Sequence, residues 1–239
     1  MLPKWWRNRI EVNWCESLRL LEQARQEIPS DALVLDAGSG EGRYKEMFTH
    51  TRYVGLDLAI GDTTWDYTGL DTVGNLRKIP FGDATFDAAI CVQTLEHVDD
   101  PFEVTKEVGR VLKPGGRYYL SAPMMWNQHQ KPHDYYRYTS FGLENLLKLS
   151  GMRIIEIRSM GGYFWFLSFY LQMLHFVLFP RAQNNFQRLL QLPFQIAVQG
   201  IFFYTLPVIL YYLDRIDKNR DHTMGWVLIA EKIEPSAAD

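Results

Sequence analysis

Val34 to Tyr44 reads VLDAGSGEGRY, and this stretch decides the fold. The apolar residues Leu33, Val34 and Leu35 lead into Asp36, and glycines then stand at Gly38, Gly40 and Gly42, which is the pattern of a strand running into a turn. Glycines so spaced admit positive φ and let a ligand reach main-chain N–H groups without obstruction by a Cβ, as in nucleotide-binding βαβ units. The acids of the turn narrow the ligand. A carboxylate at a helix N-terminus repels a pyrophosphate, so Asp36 and Glu41 suit a ligand carrying positive charge. About twenty residues beyond the turn, Tyr53-Val54-Gly55-Leu56-Asp57 ends a second apolar run in an acid, where α/β nucleotide folds bond ribose hydroxyls. A nucleoside with a cationic tail satisfies both.

Outward from that turn the βαβ grammar continues. A helix from about Gly42 to Thr49 and a strand over Arg52 to Asp57 complete the first unit. Phe86 to Val92 (FDAAICV) is nearly continuous in apolar residues, as a central parallel strand is. It ends at Gln93 and Thr94, and ligands in open α/β sheets bind beyond the carboxyl ends of strands. Asp100-Pro101-Phe102-Glu103 is a helix start, with Val104, Val108, Val111 and Leu112 as its buried stripe. Lys113-Pro114-Gly115-Gly116 then turns into a fifth strand, Arg117 to Ala122.

With LDAGSGEG, GLD ending at Asp57, IPFGDATFDAAICVQTLEHVDDP and EVGRVLKPGGRYYLSAP in order over roughly residues 30 to 125, the chain resembles the class I S-adenosylmethionine-dependent methyltransferases. The resemblance implies an α/β, Rossmann-like, doubly wound and mostly parallel seven-stranded sheet with an antiparallel last strand, Gly225 to Ala230. It implies S-adenosyl-L-methionine as cofactor, held by Asp36, Gly38, Gly40, Gly42 and Asp57. By offset from Ile79-Pro80-Phe81, the adenine contact falls on Asn75, an amide where related enzymes carry an acid. Gln93, at the strand end, completes the expected cofactor set.

Substrate chemistry is expected after Pro123, where the chain reads MMWNQHQKPHDYYRYT on the cofactor side of the sheet. This run resembles one in many bacterial members of the class, with a histidine, a proline and an Asp-Tyr-aromatic-Arg-Tyr-Thr sequence. Methyl transfer from a sulfonium is an in-line displacement that needs a base only when the acceptor arrives protonated. His129 and His133 are the catalytic candidates because imidazole titrates near neutrality. Asp134 and Arg137 either pair with each other or recognise substrate, and Tyr135 lines the pocket beside Tyr136 and Tyr138. Glu96 and His97 either fix their loop or act directly.

Thr139 and Ser140 cap the next helix, with Leu143, Leu146, Leu147 and Leu149 inward, and Met152 to Ile157 follows as a strand. The connection to the last strand is the unusual feature. Two uncharged stretches, Ser159 to Pro180 and Leu189 to Leu213, flank a polar tip, Arg181 to Arg188, and each approaches the ~20 residues that cross a bilayer. Both carry a narrow polar stripe, Ser168, Gln172 and His175 on one and Gln191, Gln195 and Gln199 on the other. A hairpin in one leaflet, a transmembrane hairpin, and a soluble hairpin buried in a homodimer interface or over an apolar pocket all fit. Arg215, Lys218 and Arg220 could meet anionic headgroups.

Three segments result: a helical N-terminal cap at 1–30, with an amphipathic helix over Val12 to Glu27 (Trp14, Leu18, Leu21 and Ala24 on one side); a methyltransferase domain at 31–160 and 222–234; and an inserted hydrophobic hairpin at 161–221. The aromatic–basic cluster Lys4, Trp5, Trp6, Arg7 and Arg9 suits a membrane interface or a packed terminus. A net charge of −3 gives no global footprint for nucleic acid. Cys15 and Cys91 suggest neither a disulfide framework nor a metal site, and MLPKWWRNRIEVNW lacks a secretory h-region. The expected protein is cytoplasmic, attached to the cytoplasmic membrane face through 161–213, and acts on a small or lipid-linked acceptor, most simply at oxygen. A non-catalytic scaffold keeping the fold is the alternative.

Overall fold

The computed structural model describes residues 6, 9–62, 64–178 and 184–234. The chain divides into two compact units, one of residues 16–158 and 225–239, the other of residues 1–15 and 159–224. The larger holds one sheet in the order β3-β2-β1-β4-β5-β7-β6. Its strands are β1 (Leu33–Ala37), β2 (Arg52–Asp57), β3 (Thr72–Val73), β4 (Phe86–Val92), β5 (Leu112–Pro123), β6 (Met152–Ser159) and β7 (Gly225–Lys232). β1 to β5 pair in parallel, and β7 inserts antiparallel to β5, between it and β6. The expected Rossmann-like, mostly parallel arrangement is therefore present.

The register explains where a ligand can bind. Asp36 stands opposite Gly55 on β2 and Ile90 on β4, so three strands bring their carboxyl ends to one edge. The centre of the sheet is dry: Val34, Leu35, Phe86, Ala89, Ile90 and Leu120 are fully buried. Helices α1 (Val12–Glu27), α2 (Pro101–Val111) and α3 (Ser140–Leu149) add further core residues. α2 begins as its sequence dictates, with the Asp100 carboxylate accepting from Glu103 N at 3.0 Å and Pro101 in the first turn. Its stripe of Val104, Val108 and Val111 is wholly buried. Thr139 caps α3 by accepting from Gly142 N at 3.1 Å.

Four local expectations change. The helix expected over Gly42 to Thr49 is a single 3-10 turn, Lys45–Phe48, because positive φ at Gly40 and Gly42 delays the start and only Phe48 offers a buried anchor. β5 starts at Leu112, ahead of the expected Arg117. On α1 Leu20 takes the buried place expected of Leu18. Leu149 points outward at 59% exposure, since a ten-residue helix with Leu143 and Leu147 inward cannot also turn position 149 to the core.

The smaller unit is helical. α4 (Tyr163–Leu178) is followed by one 32-residue helix, Asn185–Ile216. This second helix runs through α5 (Asn185–Gln199), a π-helical segment Gly200–Thr205, α6 (Leu206–Leu213) and a 3-10 turn, Asp214–Ile216. Asp214 locks the two limbs at their base: its carboxylate accepts from Gly162 N and Trp165 N, capping α4, and pairs with Arg220. Asp217 adds a bond from Tyr163 N at 2.7 Å. Trp165 packs on Tyr211, and from the N-terminal segment Trp6 meets Tyr204 edge-on while Arg9 lies over Tyr211 and Tyr212. Lys4, Trp5, Arg7 and Arg181, and the side chain of His175, lie outside the described residues.

Candidate functional site

The turn after β1 is held open by its own backbone. Gly38 N and Ser39 N both donate to Leu56 O, at 2.8 and 3.2 Å, and Gly40 N donates to Asp57 Oδ2 at 2.9 Å. Gly38 has φ +88°, and a Cβ there would stand 2.1 Å from Thr94 Cγ2, so the turn requires glycine for conformation and for space. Asp36 is fully buried, and its Oδ2 accepts a short hydrogen bond from Tyr53 Oη. Among the described residues its Oδ1, like Ser39 Oγ, meets no partner. Burial pushes the Asp36 carboxyl up to about 7 against the pull of the Tyr53 hydroxyl, and the Asp57 charge adds to the rise. An orphaned buried carboxylate oxygen beside a glycine cradle is a place for a cationic group. Asp57 also accepts from Ala59 N at 2.8 Å, and Glu41 accepts from Asp66 N at 2.9 Å, pinning the loop that carries Trp65. Asn75 is exposed, and its Oδ1 caps the turn Leu76–Lys78 by accepting from Arg77 N.

At the end of β4, Gln93 adopts φ +51° and donates through Nε2 to Ser121 Oγ at 3.3 Å. The turn Leu95–His97 follows, and the loop after β5 folds back on it: Glu96 O accepts from Tyr135 N at 2.8 Å, and His97 Nδ1 donates to His133 O at 2.6 Å. Within the returning loop Arg137 grips both oxygens of Asp134, at 2.6 and 2.9 Å, and holds that carboxyl down at about 2. Asp134 also accepts from His129 N at 2.9 Å. The Asp134–Arg137 pair thus shapes the loop. Its guanidinium reaches the Trp126 and Asn127 carbonyls too. His133 Nδ1 lies 3.1 Å from the hydroxyl of Tyr135, a half-exposed side chain.

Glu96 is the surprise of this edge. Its side chain is completely buried, and burial pushes its carboxyl up to about 8. Its own N–H approaches the carboxylate without meeting hydrogen-bond geometry, and among the described residues neither oxygen finds a donor. His97 Nε2 is similarly unpartnered, 3.9 Å from Glu96 Oε1, and burial lowers the pKa of that imidazole. The His129 ring meets His97 edge-on with centroids 4.6 Å apart.

Residues 35–120 match the family model described as a methyltransferase domain. Over that stretch, which is less than half of the chain, the sequence is similar to methyltransferase domains. A probable S-adenosylmethionine-dependent methyltransferase of Mycolicibacterium smegmatis is 34% identical over 96 residues, covering 38% of this chain and 37% of that protein. A ubiquinone biosynthesis O-methyltransferase of Idiomarina loihiensis is 31% identical over 101 residues, covering 37% and 41%. The chain thus spans about two fifths of the length of these curated relatives. Among solved structures, the 1,6-didemethyltoxoflavin-N1-methyltransferase of Burkholderia thailandensis, with S-adenosylhomocysteine bound, matches with a TM-score of 0.53. It is 16% identical and covers 94% of this chain and 80% of that one. This last likeness concerns the fold.

In the methyltransferase domain the sequence-read residues fall into two groups. Asp36, Gly38, Gly40, Gly42, Asp57 and Gln93 gather where β1, β2 and β4 end. His129, His133, Asp134, Tyr135 and Arg137 belong to the loop after β5, folded against Leu95–His97. Sequence reasoning left Thr94, whose side chain closes over Gly38, and Glu96 and His97 without a definite role, and did not join the last two to the catalytic candidate His129. The LEH motif was a signal for the cluster. Its partner His129 was hidden by the chain reversal that brings the later loop back.

Proposed function

We propose that this chain is an S-adenosylmethionine-dependent methyltransferase that methylates an oxygen of a small amphipathic or lipid-linked acceptor at the cytoplasmic face of a membrane. The observation that carries the donor half is the buried, unpartnered Asp36 Oδ1 beside the Gly38 cradle, which a cationic nucleoside would satisfy. When bound, S-adenosylmethionine supplies a methyl group on a sulfonium that an acceptor lone pair displaces in line. Around it Asp57, with lone pairs beyond its two backbone bonds, accepts from ribose hydroxyls, and the Asn75 amide donates to the adenine edge. Gln93, anchored on Ser121, closes the floor. His129 and His133 are the loop imidazoles that can take the acceptor proton, while Tyr135 offers an aromatic face to the acceptor and Asp134 with Arg137 keeps the loop in shape.

The acceptor half rests on the helical unit, which is inside out. On α5 Gln191 and Gln195 are half-buried and bonded to each other, while Leu189 and Phe194 are each 67% exposed. On α4 Ser168 and Gln172 are buried and bonded to each other, while Tyr170, Leu174 and Val177 are exposed. Apolar flesh outside and amides inside is the arrangement that a lipid environment favours. Asn185–Ile216 is long and apolar enough to cross a bilayer. Pro193 and the π-helical segment interrupt its hydrogen-bond ladder, so a hairpin lying within one leaflet is the reading we adopt. The similarity to a ubiquinone biosynthesis O-methyltransferase is in keeping with an oxygen acceptor.

Calorimetry of the folded protein with S-adenosylmethionine tests the donor, and absence of binding sinks the enzyme reading. Incubation with lipid extracts, followed by mass spectrometry for S-adenosylhomocysteine and for a species heavier by one methyl group, tests the acceptor. Cofactor binding without turnover on any lipid fraction would favour a scaffold that keeps the fold.

A further inference from the structure

Among the described residues, Glu96, His97 and His129 each offer one potential ligand atom, with all three atoms within 4.8 Å of one another. Two features set this cluster apart from a chance meeting of polar groups. The first is that its innermost members are unsatisfied: both Glu96 oxygens and His97 Nε2 are buried without a hydrogen-bond partner among the described residues. A buried carboxylate facing a buried ring nitrogen is costly unless something lies between them that bonds to both. The Glu96 Oε1–His97 Nε2 separation is 3.9 Å. Two metal–ligand bonds of about 2.1 Å span up to about 4.2 Å, so a small cation fits that gap.

The second feature is the support behind the rings. A carbonyl oxygen only accepts, so His97 Nδ1 must carry the proton that it donates to His133 O at 2.6 Å. The same holds for His129 Nδ1 and Asn127 O at 3.0 Å, with the Asp134 carboxylate 3.5 Å away. Both tautomers are thereby fixed with the Nε2 lone pair available. Metal-binding histidines are typically held in this way, by a carbonyl or carboxylate on the far nitrogen.

We infer that Glu96, His97 and His129 form a binding site for one divalent transition-metal ion. Two imidazoles and one carboxylate suit zinc, iron(II), cobalt(II) or manganese(II), whereas magnesium and calcium prefer all-oxygen sets. With three protein ligands the ion keeps open positions for water or for an oxygen of another molecule. Where methyl transfer to oxygen also holds, that ion is the acceptor's anchor, and His133, outside the ligand set, is the remaining base. The metal site does not depend on that reading, because its occupancy is read without S-adenosylmethionine.

The test uses untagged full-length protein, washed with a chelator and titrated with cobalt(II) while its visible d–d bands are recorded. The expected result is uptake of one equivalent, displaced by equimolar zinc and retained in hundredfold excess magnesium. His129→Asn changes a side chain at the rim and is expected to weaken cobalt binding about tenfold or more at an unchanged melting temperature. Glu96→Gln is expected to do the same, and His133→Asn to leave affinity unchanged. Failure of the wild type to take up cobalt overturns the inference, as does undiminished affinity in His129→Asn. Displacement of cobalt by magnesium overturns the assignment to a transition metal.

Discussion

Leu35 in β1 and Leu189 in α5 carry the same side chain in opposite surroundings. Leu35 is fully buried in the sheet, while Leu189 is 67% exposed on its helix. Polar groups differ as well: the turn after β1 bonds neighbouring loops through Asp57 and Glu41, whereas on α5 the half-buried Gln191 and Gln195 bond each other. The sheet satisfies its own apolar groups and leaves selected polar atoms, such as Asp36 Oδ1, for a ligand. The helical unit pairs Ser168 with Gln172 and Gln191 with Gln195 and leaves apolar groups such as Leu189 and Phe194 at its surface. The lesson is that hydropathy alone treats the two regions alike, and the side that each residue type faces separates them.

Substitutions can break this contrast. The largest effect is expected from Gly38→Val, whose Cβ would collide with Thr94 in a left-handed conformation: S-adenosylmethionine binding measured by calorimetry should fall at least a hundredfold. Gly42→Ala, with φ +73° but open space around it, should cost only about 1–2 kcal/mol of stability. Leu35→Ala should lower the unfolding free energy in urea by about 2–5 kcal/mol, against at most ~0.5 kcal/mol for Leu189→Ala. Comparable losses for the two would abolish the distinction between the regions. Replacing both Leu189 and Phe194 by Asp should reduce flotation with liposomes roughly thirtyfold or more while the sheet's melting temperature holds. Unchanged flotation would remove the membrane from the proposal.

The smallest effect is a matter of pH. The folded-state pKa of Asp36 is raised to about 7, so its contribution is fully present below the ordinary carboxylate range and is lost as pH rises through 7. Without cofactor, Asp36 should account for about 1 kcal/mol of a loss of stability between pH 6 and 8 to which the buried Glu96 carboxyl adds, so Asp36→Asn should make that slope shallower without abolishing it. A wild type equally stable at both pH values would show that Asp36 is not held neutral.

Much of this was legible in the residues themselves. β2 and β4 begin and end where their apolar runs do, because a buried parallel strand bounded by polar turns leaves little freedom of register. The Asp100 and Thr139 caps follow from residue type. What the sequence hid depends on contacts distant along the chain. Leucines at 143, 146, 147 and 149 look alike as letters, and helical geometry decides that Leu149 faces out. Glu96 and His97 read as a loop motif until the segment carrying His129, more than thirty residues later, closes over them. The glutamine stripe of α5 was visible, but not that Gln191 and Gln195 would be half-buried while Gln199 stays exposed.

The lock between Asp214 and the start of α4 also bears on how the chain folds. β7 must find its place between β5 and β6 after a long interruption, and the entropy of closing a loop grows with the number of residues in it. The bonds from Gly162 N to Asp214 bridge 52 positions and can form within the helical unit alone. Once they have formed, the search of β7 for its neighbours is that of a strand on a short tether. The insertion is then kinetically almost silent, and stopped-flow refolding should show Asp214→Asn lengthening the slowest phase, while an unaltered rate would mean that the sheet closes without waiting for the hairpin.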